Sequence, residues 1–266
     1  MTADVVEQTR RALGRVGAAL PSATGQATPV GLQRDAARRL EQAGYNSVWV
    51  NEVIGKDALV QAAVLLAATD RLVVGTGIAN MWARPAQTTH AAAAQLAEAY
   101  PGRFVLGLGV GWPQQAAAVG HEFGKPLATL RDYLDRMDAL PPGQLQVAGG
   151  RYARIVGANG PNMLTLAGQA ADGAVPAMRP PPATRGARRL LGPDRLLVVL
   201  LDASSAQGTT RAIAQAADEH LRAGADHVVA GLPMGSDVSD AIDQLVTLGP
   251  VLANMPQDDG SGTTSH

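Results

Sequence analysis

Eight times along this chain a short apolar run precedes a stretch whose apolar residues recur at helical spacing, and that alternation leaves few architectures open. The runs occupy residues 14–20, 47–52, 72–80, 104–112, 154–158, 173–178, 196–202 and 227–232. The strongest, Leu196-Leu197-Val198-Val199-Leu200-Leu201, is apolar throughout, as a strand buried on both faces is. The intervening segments read as helices. The first opens at Thr28-Pro29, an N-cap and first-turn proline, and stops at Gly44. Others span 57–70, 85–99, 127–140, 161–171, 180–191, 209–223 and 238–254, and 5–15 is a short helix or a loose arm. Strand followed by helix, repeated, builds a parallel sheet, because parallel neighbours need a long crossover. Eight such units in about 250 residues match a compact single-domain α/β fold, the (β/α)8 TIM barrel. A doubly wound open sheet is the competitor, but the count reaches eight and no linker splits the chain. The barrel is expected over 1–255, with 256–266 a disordered polar tail.

Residues 72–112 are the centre of the reading. Glycine gathers at the C-terminal ends of both apolar runs, as Gly75 and Gly77 in one and Gly107, Gly109 and Gly111 in the other. Ligands of parallel α/β folds sit at that end of the sheet, and a residue without Cβ lets another group approach the backbone. A flat, ring-shaped cofactor is therefore expected against bare main chain; the other reading is that these glycines only relieve crowding inside the barrel. Gly157-Ala158-Asn159-Gly160-Pro161 lies at a strand-to-helix junction, where amides at a helix start favour a phosphate. The alternative there is an ordinary capped helix.

Composition excludes several classes. Lys+Arg 22 against Asp+Glu 23 gives a net charge of −1, so no global field recruits nucleic acid or a membrane surface. Without cysteine there is no disulfide, thiolate zinc site or cysteine nucleophile, and no histidine pair has metal spacing. The start of the chain carries acid where a signal peptide carries base, and no run reaches a membrane span, so a cytoplasmic location is expected.

Four segments, in order, resemble the luciferase-like TIM barrels, the family of bacterial luciferase, flavin monooxygenases and deazaflavin (coenzyme F420) oxidoreductases. They are Gly44-Tyr45-Asn46-Ser47-Val48-Trp49-Val50, Gly75-Thr76-Gly77-Ile78-Ala79-Asn80, the run from Pro101-Gly102-Arg103-Phe104 to Gly109-Val110-Gly111, and Gly157-Ala158-Asn159-Gly160-Pro161 with Leu166-Ala167-Gly168-Gln169-Ala170-Ala171-Asp172-Gly173. Residues 78–85 and 126–131 are similar to the actinobacterial deazaflavin branch. The resemblance implies F420, or alternatively FMN, seated on Gly75, Gly77, Ile78, Asn80, Gly107 and Gly109, with a non-prolyl cis peptide at Gly77–Ile78. The cofactor phosphate would lie at Gly157, Asn159 and Gly160. Asn80 would contact ring or substrate, or simply cap a strand end. Glu52 occupies the place where relatives keep an acid near the ring, and Val53, Trp82 and Trp112 would wall an apolar substrate pocket.

The chain also departs from the family. Where sugar-phosphate and alcohol dehydrogenases of the deazaflavin branch place a histidine after that acid, this chain has Val53. Where they place a glutamate after the fourth strand's glycines, it has Trp112. Their substrates do not carry over. His121, in the following loop, is the remaining acid–base candidate beside Glu52. The long late insertion of many relatives is missing; Arg179, Arg185, Arg188 and Arg189 would shape the mouth there or meet the cofactor's acidic tail. The expected activity is hydride transfer between F420 and a small organic substrate, governed by proximity in an apolar mouth. An FMN-dependent monooxygenase or reductase, and a non-catalytic flavin- or deazaflavin-binding protein, are the alternatives. A homodimer is expected by resemblance.

Overall fold

A computed structural model describes residues 2–21, 28–53, 55–139, 149–201, 209–232 and 237–255. The expected tail at 256–266, the helix stop at Pro141-Pro142-Gly143 and His266 lie outside these residues.

The element order is α1 (Thr2–Leu13), β1 (Val16–Ala19), α2 (Val30–Gln42), β2 (Ser47–Val50), α3 (Ala58–Ala68), β3 (Val73–Thr76), β4 (Ala79–Asn80), α4 (Ala86–Ala99), β5 (Phe104–Gly109), α5 (Pro113–Ala118), α6 (Pro126–Asp138), β6 (Ala153–Gly157), α7 (Pro161–Ala170), β7 (Gly173–Val175), α8 (Pro181–Leu191), β8 (Leu196–Leu200), α9 (Thr210–Arg222), β9 (His227–Ala230) and α10 (Val238–Ala253). All pairings are parallel, in the order β3-β2-β1-β9-β8-β7-β6-β5-β4, and β3 also pairs with β5, which closes the barrel. The two pieces β3 and β4 are one broken strand, interrupted at a cis peptide between Gly77 and Ile78. The fold is a TIM barrel, and residues 192–195 alone separate α8 from β8, so no late insertion intervenes.

The helix boundaries follow local chemistry. Asp57 caps α3 by accepting from the amides of Leu59 and Val60, and Thr209 and Asp237 cap α9 and α10 likewise. The short α5 lies in what reads from sequence as a loop; it spans Pro113–Ala118, too little for a periodic signal. At the other end of the barrel α1 resolves the helix-or-arm alternative. Its Val6 and Leu13 pack into the interior cluster formed by Trp49, Val73, Val105, Ile155, Val175, Val198 and Val229. A second, larger cluster fills the layer between strands and helices.

Trp49 occupies the barrel axis. Its indole N–H donates to Ser47 Oγ and to His227 Nε2, both at 3.1 Å, and Ser47 Oγ lies 2.9 Å from the same nitrogen. His227 Nδ1 lies 2.8 Å from the Gly14 carbonyl, which can only accept, so the proton is on Nδ1 and Nε2 receives. The ring is neutral and fully buried, and burial drives its pKa from the ordinary 6.5 down to about 4. The unfolded chain therefore takes up this proton before the folded one. The stability the neutral ring supplies is complete above the unfolded value and is lost as pH falls from 6.5 towards 4, on the order of 3 kcal/mol over the whole window. Urea unfolding at pH 7 and pH 4.5 checks this: His227→Gln should be less stable at neutral pH yet lose less on acidification. Equal acid slopes would refute the assignment.

Candidate active site

The C-terminal ends of the strands converge on a mouth whose floor is nearly free of side-chain polarity. Gly77, Ile78, Gly157, Ala177, Leu200 and Gly231 are half-exposed there, whereas the strand residues beneath them are buried. Ile78 reaches across from the broken strand. A Cβ on Gly109 would collide with its Cδ1, and one on Gly157 would lie 3.3 Å from its Cγ2. The expected ring seat and the expected phosphate seat are thus neighbours on one rim.

The glycines divide by purpose. A Cβ on Gly75 would lie 2.5 Å from the Trp49 indole, and one on Gly107 would overlap the Thr76 carbonyl. These two lie beneath the floor and admit the tryptophan and the neighbouring strand, as the crowding reading expects. Gly77, with Trp49 and Leu200 at ordinary contact distance, reaches the exposed level. At the other locus Gly160 is the N-cap of α7 with open space around its missing side chain. No side chain caps this helix, its first turn carries no acid, and Pro161 has no N–H. The amides of Asn162 and Met163 are therefore left without intrahelical acceptors, a ready anion seat. Asn159 is turned elsewhere: its Oδ1 accepts from the Ala177 amide at 2.9 Å. With the Met178 amide donating to Leu200 O at 3.0 Å, this holds Met178 in the left-handed region (φ 54°) with its side chain exposed at the rim.

Glu52 does not stand free. Its Oε1 accepts from the Ala58 amide at 3.0 Å and its Oε2 from the Asn80 amide at 2.7 Å, and Arg84 forms an ion pair with the same carboxylate. Arg84 also reaches Asp57 at 3.1 Å, and its own carbonyl accepts from Tyr133 Oη at 2.9 Å. Ion pairing to Glu52 and Asp57 raises the Arg84 pKa against the desolvation that opposes it. Glu52 thereby ties β2, α3 and the broken strand together, and its acceptor sites are occupied within the protein. Asn80 acts as a cap, its Oδ1 accepting from the Trp82 amide at 3.0 Å.

Trp82 donates its indole N–H to Val110 O at 2.8 Å and packs beside His121 and Phe123, with ring centroids 5.7 and 6.0 Å away. Trp82 and His121 line a cavity of about 610 Å³ beside the mouth, between the start of α4 and α6. Trp112, 72% exposed, and Val53 stand in solvent instead of walling a closed pocket. The arginine group separates as well: Arg188 bonds Gly224 O, Gly192 O, Arg195 O and Asp226 at the opposite end of α8, which removes it from the mouth. His90 and His220 are bonded to Tyr152 and Thr184. Sequence reasoning missed Arg84 as the partner of Glu52 and Tyr133 as the donor to the Arg84 carbonyl, because single polar residues in loops and on helices carry no pattern that names their contacts.

The sequence model of the luciferase-like monooxygenase family matches residues 12–191. The chain belongs to this family. A 5,10-methylenetetrahydromethanopterin reductase of Methanolobus tindarius is 29% identical over 153 residues, 52% of this chain and 47% of that protein. A Mycobacterium tuberculosis protein named provisionally as a coenzyme F420-dependent oxidoreductase is 38% identical over 96 residues, 36% of this chain and 28% of that one. The chain thus spans about half or less of the curated relatives it matches. Among solved structures, an F420-dependent secondary alcohol dehydrogenase with an F420-acetone adduct superposes with a TM-score of 0.74 over 90% of this chain and 99% of that one, at 14% identity. That likeness establishes the shared fold. No helix among the described residues is long and apolar enough to cross a membrane.

Proposed function

We propose that the barrel mouth of this luciferase-like family member binds coenzyme F420 and that the protein is an oxidoreductase passing a hydride between that cofactor and a small organic substrate. The observation that carries the reading is the pairing of an apolar, half-exposed shelf at Gly77–Ile78 with an uncapped α7 N-terminus on the same rim. A flat heterocycle with a phosphate-bearing chain fits that pairing, and one sequence relative bears F420 in its name. Ile78, Gly77, Gly157 and Leu200 would support the ring, and Gly160 with the amides of Asn162 and Met163 would receive the phosphate. When bound, F420 supplies the two-electron carrier. The protein's part is to orient and to keep the floor dry. Glu52, held by Arg84, sets the position of the broken strand, and Val53, Trp112 and Met178 give the rim its apolar character.

Fluorescence titration with F420, and in parallel with FMN, tests the assignment. Saturable F420 binding is expected, together with hydride exchange between reduced cofactor and an acceptor. Gly160→Asp should weaken F420 binding about tenfold or more by placing a carboxylate at the phosphate seat, while the new N-cap leaves thermal stability equal or higher. Tight FMN binding without F420 binding would reassign the protein as a flavin enzyme. Binding of F420 without exchange to any acceptor would leave it a carrier.

A further inference from the structure

Lys56 is a half-buried ammonium with no ion pair among the described residues. Its Nζ donates to Asn51 Oδ1 at 3.0 Å, which uses one of three donors. The carboxylates nearby are already engaged. Glu52 holds Arg84 and the amides of Ala58 and Asn80, and Asp57 holds Arg84 and the amides of Leu59 and Val60. Burial pushes the Lys56 ammonium below the ordinary lysine range, with Glu52 pulling it back. A turn closed by the Lys56 amide on Val53 O at 3.1 Å folds this side chain back over the tip of β2.

The place matters as much as the charge. Val50 O accepts from the Gly77 amide at 2.7 Å and the Glu52 amide donates to Ile78 O at 3.0 Å, so Asn51 is bracketed beside the half-exposed shelf. Strand alternation puts Asn51 in the same row as Ser47 and Trp49, which face the barrel interior. Among the described residues the shelf at Gly77–Ile78 is apolar, and the Lys56 ammonium stands at its edge without an ion pair. A desolvated charge is costly unless an opposite charge meets it, and a bound molecule can supply that charge. We infer that Lys56 and Asn51 form an anion-recognising arm of the mouth, which holds an anionic oxygen of the molecule seated over Gly77 and Ile78. The inference rests on the cofactor reading above, and the oxygen can belong to the cofactor ring or to the substrate.

The chain has only two lysines, Lys56 and Lys125, and Lys125 is exposed, so it serves as an internal reference. Trace reductive methylation of the full chain followed by peptide mass spectrometry reads the Lys56-to-Lys125 labelling ratio, alone, with F420, and with F420 plus benzoate. F420 binding is followed by fluorescence in the same samples. A several-fold fall in the ratio with F420 places the oxygen on the cofactor; a fall only when benzoate is added places it on the substrate side. Both support the arm. Lys56→Met, which keeps the aliphatic stem, should weaken binding of the protecting molecule roughly tenfold, and Lys56→Arg should recover part of it. Binding of F420 with no protection by either molecule would overturn the arm and leave the cofactor reading standing. Absence of F420 binding would remove both.

Discussion

Arg84→Ala should unfold at a markedly lower temperature than the parent, by about 10 °C, corresponding to a loss of about 3–5 kcal/mol. The Glu52 and Arg84 side chains are 3% and 10% exposed, so removing the guanidinium strands a carboxylate that water cannot reach. The two amides that remain, from Ala58 and Asn80, hydrogen-bond the carboxylate without neutralising it. Glu52→Gln should be milder, because it removes the charge instead of abandoning it and Arg84 keeps Asp57. The double variant Glu52→Gln/Arg84→Ala should recover part of the loss. Thermal and urea unfolding of the three variants decides the matter. A loss below about 1 kcal/mol for Arg84→Ala would mean that the pair behaves as an exposed one.

Trp49→Ala is expected to cost a comparable amount, about 3–5 kcal/mol, for a different reason. The indole is fully buried on the barrel axis, and its removal opens a cavity and takes the shared donor from Ser47 and His227. Gly75→Val fails in the opposite direction, since even its Cβ would lie 2.5 Å from the ring, and overpacking of this kind costs about 1–3 kcal/mol or more. Combined, the new valine enters the space that the indole vacates. The double variant should therefore be more stable than the sum of the single effects by about 1 kcal/mol or more, as urea unfolding of all four proteins would show. Strict additivity would mean that Gly75 is not reserved for Trp49.

Much of the molecule was legible before any coordinates. The apolar runs and their alanine-rich partners carry strand and helix periodicities within a few residues of their observed ends, because hydrophobic spacing, caps and glycine stops are local. The 72–80 run shows the limit. Its apolar character announces a buried strand, yet the break at Gly77–Ile78 came only through family resemblance, since composition does not encode it. At the site, glycines at strand ends were visible but their purposes were not. Gly75 and Gly107 serve the packing of Trp49 and Thr76, and only the level of Gly77 and Gly157 opens to the mouth. Arg84 lay inside a segment of family resemblance, but nothing local named Glu52 as its partner, and Lys56 had no signature at all.

Order, number and type of elements, and the end of the sheet where a ligand belongs, are written in the chain because each depends on neighbours a few residues away. Closure of the barrel decided the rest. It brings Glu52 to Arg84 across a separation of 32 residues and Trp49 to His227 across 178, and it puts Asn51 beside the Gly77 shelf. Which glycine is filled from within and which charge lacks a partner are properties of those distant meetings, and no local pattern anticipates them.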